Sequence, residues 1–169
     1  EMIYTDIINS KKNNSNIDWE LFFNRGICYE RLSKWESAEK DFLYSLKLNP
    51  DSADVLNYLG YSWIERNIYL NRSLTMLKKA LELKPEDPYI LDSLAWAYYK
   101  INELNKAVFY MEKVISISPG EAISLDHLGD IYFAMNRKRE ASFLWKQAKD
   151  LADPEDAIFE CVEKILYEY

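Results

Sequence analysis

The sequence has one histidine, two cysteines, four glycines and five prolines in 169 residues, and each shortage excludes something. Two cysteines make no disulfide framework, and neither Cys28 nor Cys161 lies near His127 to suggest a metal site. Both cysteines fall among apolar residues and read as buried free thiols. So little glycine and proline leaves too few turns for an all-β fold. Basic residues come only in short runs, Lys11-Lys12, Lys78-Lys79 and Arg137-Lys138-Arg139, and the formal charge is −7. A phosphate backbone needs a basic footprint, so neither nucleic acid nor an anionic membrane surface is an expected partner. No apolar run approaches the roughly 20 residues of a membrane-spanning helix, and no secretory leader pattern opens the chain. No G-x-S-x-G, P-loop, G-x-G-x-x-G or H-E-x-x-H motif occurs, and nothing implies a cofactor.

What is present is apolar, aromatic and periodic. Hydrophobic residues make up 49% and charged residues 29%, the balance of a globular chain. Thirteen Tyr, seven Phe and five Trp supply large side chains to fill thin layers. The stretch Asp87–Pro119, DPYILDSLAWAYYKINELNKAVFYMEKVISISP, reads as two amphipathic helices, a short turn and a closing proline. Three ladders repeat it. Gly26, Gly60, Ala95 and Gly129 are 34, 35 and 34 apart; Pro50, Pro85, Pro119 and Pro154 are 35, 34 and 35 apart; Ala38, Ser73, Ala107 and Ala141 are 35, 34 and 34 apart. One hairpin cannot bury its apolar face alone, so the copies must stack.

Each ladder has a physical job. A small residue at the eighth place lets the first helix approach its partner closely. Glycine there costs about 1 kcal/mol in helix propensity, so its recurrence implies close contact. The aromatics Tyr29, Trp63, Tyr98 and Tyr132 fill the wider gap a turn later. Each proline stops a second helix. The units run 19–52, 53–87, 88–121 and 122–155. Units two and four carry one extra residue between the small residue and the proline, expected in unit two within the turn ERNIYLN. Residues 1–18 read as the second helix of a preceding unit plus a loop, and 156–169 as a capping helix. Because the sequence opens on Glu1, a longer array is expected.

These residues resemble the tetratricopeptide repeat: small at the eighth place, aromatic at the eleventh, Ala at the twentieth, Pro near the thirty-second. Ala95, Ser73 and Arg25 depart from the pattern. LNYLGYSW, DSLAWAYY and LDHLGDIY in succession resemble the repeat blocks of bacterial, especially alphaproteobacterial, members, some of which are envelope adaptors. The resemblance implies an all-α fold, a right-handed α-α superhelical solenoid of helical hairpins whose first helices line the concave side.

On that reading the fifth and ninth residues of each unit, four apart, share the groove-facing side. They are Phe23 and Ile27, Asn57 and Tyr61, Asp92 and Trp96, Asp126 and Asp130. The twelfth residues add Glu30, Ile64, Tyr99 and Phe133; the second add Glu20, Asp54, Tyr89 and Ile123. The groove is then apolar at its N-terminal end, amide and aromatic in the middle, acidic at its C-terminal end. Members of the family that grip acidic chaperone tails resemble one another in lining this surface with Lys, Asn and Arg. Here Asp92, Asp126 and Asp130 would repel a carboxylate. The expected function is a non-catalytic scaffold or adaptor for a protein or peptide segment with apolar or aromatic anchors and a basic group. One rival is a self-associating array, a homo-oligomer. The other is an enzyme using Asp126, Asp130 and His127, against which His127 reads as a partly exposed residue beside the groove.

Overall fold

The computed structural model describes residues 2–11 and 18–152. Among them are nine helices and no strand: α1 (Met2–Lys11), α2 (Trp19–Arg31), α3 (Trp35–Leu48), α4 (Ala53–Glu65), α5 (Leu70–Leu83), α6 (Pro88–Lys100), α7 (Leu104–Ile117), α8 (Ala122–Ala134) and α9 (Lys138–Leu151). The side chains of residues 9–11 are outside that description. Residues 12–17, where most of the expected loop falls, Pro154, Cys161 and the expected capping helix at 156–169 all lie outside the described residues.

Helices α2 and α3, α4 and α5, α6 and α7, α8 and α9 pack as hairpins. Each second helix also touches the next first helix, and α4, α6 and α8 touch in turn. The first helices thus form an inner layer of an all-α superhelical solenoid. Helix α1 packs on α2, with Ile8 buried.

The starts and stops follow from local chemistry. Asp18, Ser52 and Asp87 cap α2, α4 and α6 with side-chain oxygens, satisfying donors the helix leaves open. Pro88 occupies the first turn of α6, where its missing N–H costs nothing. Each hairpin turns on a residue with positive φ: Ser33, Asn67, Asn102 and Asn136, at φ 57, 54, 62 and 63°. The following N–H reaches back to a carbonyl five residues earlier: Lys34 to Tyr29, Ile68 to Trp63, Glu103 to Tyr98, Arg137 to Tyr132. These are Schellman closures. The turn after α4 is one residue longer, 66–69 against 32–34, 101–103 and 135–137. Tyr69, also at positive φ, is the added residue and lies edge-on to Trp63 with centroids 5.1 Å apart.

Packing explains the glycine ladder. A Cβ on Gly26 would sit 2.5 Å from Phe42 Cε1, and one on Gly129 would collide with the Trp145 indole. At Gly60 the nearest atom is Leu77 Cγ at 3.1 Å, a looser fit. Unit one solves the adjoining position differently. Leu59, Leu94 and Leu128 occupy the place that Arg25 takes in α2, and the opposing α3 residue is Asp41. Arg25 Nε and Nη2 donate to Asp41 Oδ2 and Oδ1 at 2.6 and 2.8 Å, a two-point pair shielded from water. The charge at Arg25 is thereby matched within its own hairpin. Cys28, expected to be buried, is only partly so.

Candidate functional site: the inner face of the first helices

The candidate residues divide into those packed inside the layer and those facing outward from it. Phe23 stands edge-on to Tyr58, with centroids 5.7 Å apart, and 6.0 Å from Phe42. With Ile27 it packs against the core between the first two hairpins. Ile64, expected in the groove, is fully buried instead. It sits one helical turn beyond Gly60, where adjacent hairpins close together.

At the junction of α4, α6 and α8 the side chains form a layered network. Asp92 and His127 are both buried, with 9% and 7% exposure. Asp92 Oδ1 accepts from the Ser124 hydroxyl at 2.8 Å, and Asp92 Oδ2 lies 2.9 Å from His127 Nδ1. The imidazole stacks on Trp96 at 4.1 Å, and Trp96 stacks on Tyr99 at 4.7 Å. Trp96 Nε1–H donates to Glu65 Oε1 at 2.5 Å. Lys100 Nζ lies 4.7 Å above the indole. His127 is therefore an interior residue, not the partly exposed one the sequence suggests. A carboxylate one hairpin earlier supplies the partner that makes its burial tolerable.

Asp126 and Asp130 are half-buried on α8. Burial first, and then the charge of Asp130, push the Asp126 carboxyl up to about 6, against the pull of His127. Burial also raises Asp130, while His127, Lys100 and a hydrogen bond from Trp145 Nε1–H at 3.2 Å draw it back. For His127 burial opposes the charged form. The hydrogen bond and charge of Asp92, with Asp126 and Asp130 behind it, outweigh that, and its pKa is raised. Burial and the charge of Asp130 raise the Tyr99 hydroxyl. Phe133, 40% exposed, packs 5.5 Å from Trp145.

Asn57, Tyr61 and Asp92 instead line a cavity of about 240 Å³ between α4, α6 and the start of α8. Tyr89 and Ile123 stand exposed at its mouth. Asn57 Oδ1 is buried and has no hydrogen-bond partner. Burial, then the charges of Glu65 and Asp92, raise the Tyr61 hydroxyl well above its ordinary pKa. The sixth-place residue Tyr58 and the N-cap residue Glu121 also line the cavity, and sequence reasoning missed both. A fifth-and-ninth rule looks only along one helix face, whereas these reach the cavity from a flank and from a helix start.

No group of three or more His, Cys, Asp or Glu among the described residues is placed to hold a metal ion. No helix among them is long and apolar enough to cross a membrane.

Models of the tetratricopeptide repeat match residues 19–52 and 89–121. These two segments are tetratricopeptide repeats. A TPR repeat-containing protein of Pseudomonas aeruginosa is 33% identical over 87 residues, 52% of this chain and 15% of that protein. The mouse BBSome complex member BBS4 is 26% identical over 94 residues, 56% of this chain and 18% of its own length. Tetratricopeptide repeat protein 1 of Schizosaccharomyces pombe is 31% identical over 106 residues, 58% of this chain and 10% of its own. The chain thus spans less than a fifth of each of these relatives. Among solved structures, a crystal structure of MamA superposes with TM-score 0.68 at 21% identity, over 98% of this chain and 88% of that one. A MamA double mutant gives 0.69 at 22%, over 87% and 82%. At these identities the likeness is one of fold.

Proposed function

We propose that this tetratricopeptide-repeat chain is a non-catalytic scaffold that holds a protein segment against its inner layer of first helices. The segment carries apolar or aromatic anchors and at least one basic group. One observation carries the reading: the cavity on this face is walled by Tyr58, Tyr61, Tyr89 and Ile123, with Asp92 and Glu121 as its charged residues and no Lys or Arg in its lining. Aromatic walls favour burial of partner side chains. Charge of one sign orients the partner and rejects acidic ones. The half-buried Asp126 and Asp130 extend that sign along α8.

The non-catalytic part of the reading rests on how the titratable groups are used. His127 Nδ1 is engaged by Asp92, its ring lies flat on Trp96, and it is buried. A general base must reach a proton on its substrate, and this imidazole faces protein on those sides. The BBSome member among the relatives is by its name a component of a complex, which accords with a role in assembly. Selection of peptides from a random library on the parent chain tests the proposal. Lys- or Arg-containing peptides with aromatic or aliphatic anchors are expected to enrich. Enrichment of acidic peptides, or of none, would overturn it.

A further inference from the structure

Within that reading, we propose that the cavity between α4, α6 and α8 is a site for a single arginine side chain of the partner segment, received by Asn57. The inference rests on the proposed function and names the residue the groove selects.

The polar groups of the cavity are unevenly spent. Three of its hydroxyl donors are engaged: Ser93 donates to the Tyr89 carbonyl at 2.9 Å, Ser124 to Asp92 at 2.8 Å, and Tyr58 to Glu30 at 3.5 Å. Its acceptors are open. Asn57 Oδ1 is buried without a donor, an unfavourable state in a protein interior. Asp92 accepts one bond at each oxygen, and a carboxylate has about four acceptor sites. Glu121, the N-cap residue of α8, makes no side-chain capping bond and is exposed at the rim. An anion entering here would meet acceptors and two carboxylates. A donor-rich cation would meet what it needs.

Size and wall chemistry narrow the guest. About 240 Å³ lies below the roughly 300 Å³ where small-molecule pockets begin, so it suits one long side chain. The tyrosine and isoleucine walls suit an alkyl stem and a flat group laid on an aromatic face. Arginine offers a planar fork of five donors, able to serve Asn57 Oδ1 and a carboxylate together while stacking on tyrosine. Lysine offers a point charge that is more strongly hydrated.

The test uses the whole chain, ¹⁵N-labelled, titrated with Nα-acetyl-arginine methylamide and, separately, with the norleucine, lysine and glutamate analogues. The arginine analogue is expected to move the Asn57 side-chain amide resonances and saturate at millimolar concentration. The norleucine and glutamate analogues are expected to leave them in place, and the lysine analogue to bind at least threefold more weakly. Asn57→Leu should weaken binding tenfold or more. Asn57→Asp, which keeps the shape and adds charge, should tighten it. An unmoved Asn57 amide, equal response to norleucine, or preference for glutamate would overturn the proposal. Its failure is separable from failure of the groove reading. Library-selected peptides that shift Asp126 and Asp130 but not Asn57 would leave the groove standing without this site. A library that yields no binder would remove the groove reading whatever the arginine analogue does.

Discussion

Asp92 of α6 and His127 of α8 lie 35 residues apart in sequence and 2.9 Å apart in space, joining the inner helices of adjacent hairpins. With Ser124 on the other carboxylate oxygen, this pair is the polar pin of an otherwise apolar junction. Asp92→Ala strands both partners in the interior and is expected to destabilise the chain by about 1–3 kcal/mol. Asp92→Asn, which keeps an acceptor, should cost less. Urea unfolding of the two variants checks the order.

The same junction fixes the sign of a pH effect. The folded-state pKa of Asp126 is raised from 3.8 to about 6, so the folded chain binds that proton more tightly than the unfolded chain. The stability this contributes is complete below pH 3.8 and is lost as pH rises through about 6. His127 is raised above 6.5, so its contribution is present below that pH and lost at higher pH. Both slopes run the same way. The difference in melting temperature between Asp126→Asn and the parent should therefore change between pH 5 and pH 7.5, with the parent losing ground as pH rises. The free-energy change behind it is about 1 kcal/mol for a partly exposed carboxylate. Melts at the two pH values that show no relative change would contradict the assignment.

The glycines should separate by the hardness of what they face. Gly26→Ala and Gly129→Ala drive a methyl into the Phe42 and Trp145 rings and are expected to cost about 1–3 kcal/mol each. Gly60→Ala meets the branched end of Leu77 at 3.1 Å, and the roughly 1 kcal/mol gained in helix propensity offsets much of the crowding. Thermal melts that rank Gly60→Ala as the worst would put the packing wrong.

Arg25 and Asp41 should behave as a unit. Arg25→Leu alone leaves a shielded carboxylate unpaired and is expected to cost about 3 kcal/mol. Adding Asp41→Met recreates the Leu–Met pair that Leu59 and Met76 present in the next unit, and should recover most of the loss. A double-mutant cycle with no coupling would show the pair to be ornamental.

Ser33 holds a left-handed conformation that Asn holds in the other three hairpins. A residue with a Cβ resists that conformation by about 1–2 kcal/mol, and glycine does not. Ser33→Gly is therefore expected to stabilise the chain by about 1 kcal/mol, and Asn102→Ala to destabilise it by a similar amount. Chemical denaturation of both variants measures this directly.

The fold was legible because repetition averages out local ambiguity. A lone Gly129 says little, but a small residue recurring with proline and alanine at matched spacing says that helices approach there. The turn residues Ser33, Asn67, Asn102 and Asn136 form a fourth ladder of the same period, readable as helix stops and overlooked beside the prolines. The extra residue of unit two also sits in its hairpin turn, at Tyr69. The candidate site was less legible. Asn57, Tyr61 and Asp92 follow from helical spacing, but spacing gives the direction of a side chain and not its partner. Whether Trp96 is an anchor for a ligand or an interior ring depends on Glu65, Tyr99 and His127, which reach it from α4, α6 and α8. Its 7% exposure places it inside. His127 was misjudged for the same reason: nothing within its own unit reveals that Asp92 of the preceding one receives it.

The most direct test of a groove that receives a basic, apolar segment is the binding of one library-selected peptide to the parent and to an Asp126→Asn/Asp130→Asn variant. Asn at position 130 keeps an acceptor for the Trp145 indole, so the fold should hold, and a melt confirms it. Titration calorimetry at two salt concentrations is expected to give at least tenfold weaker binding to the variant, with a shallower salt dependence. Equal affinity and equal salt dependence for the two chains would contradict the account.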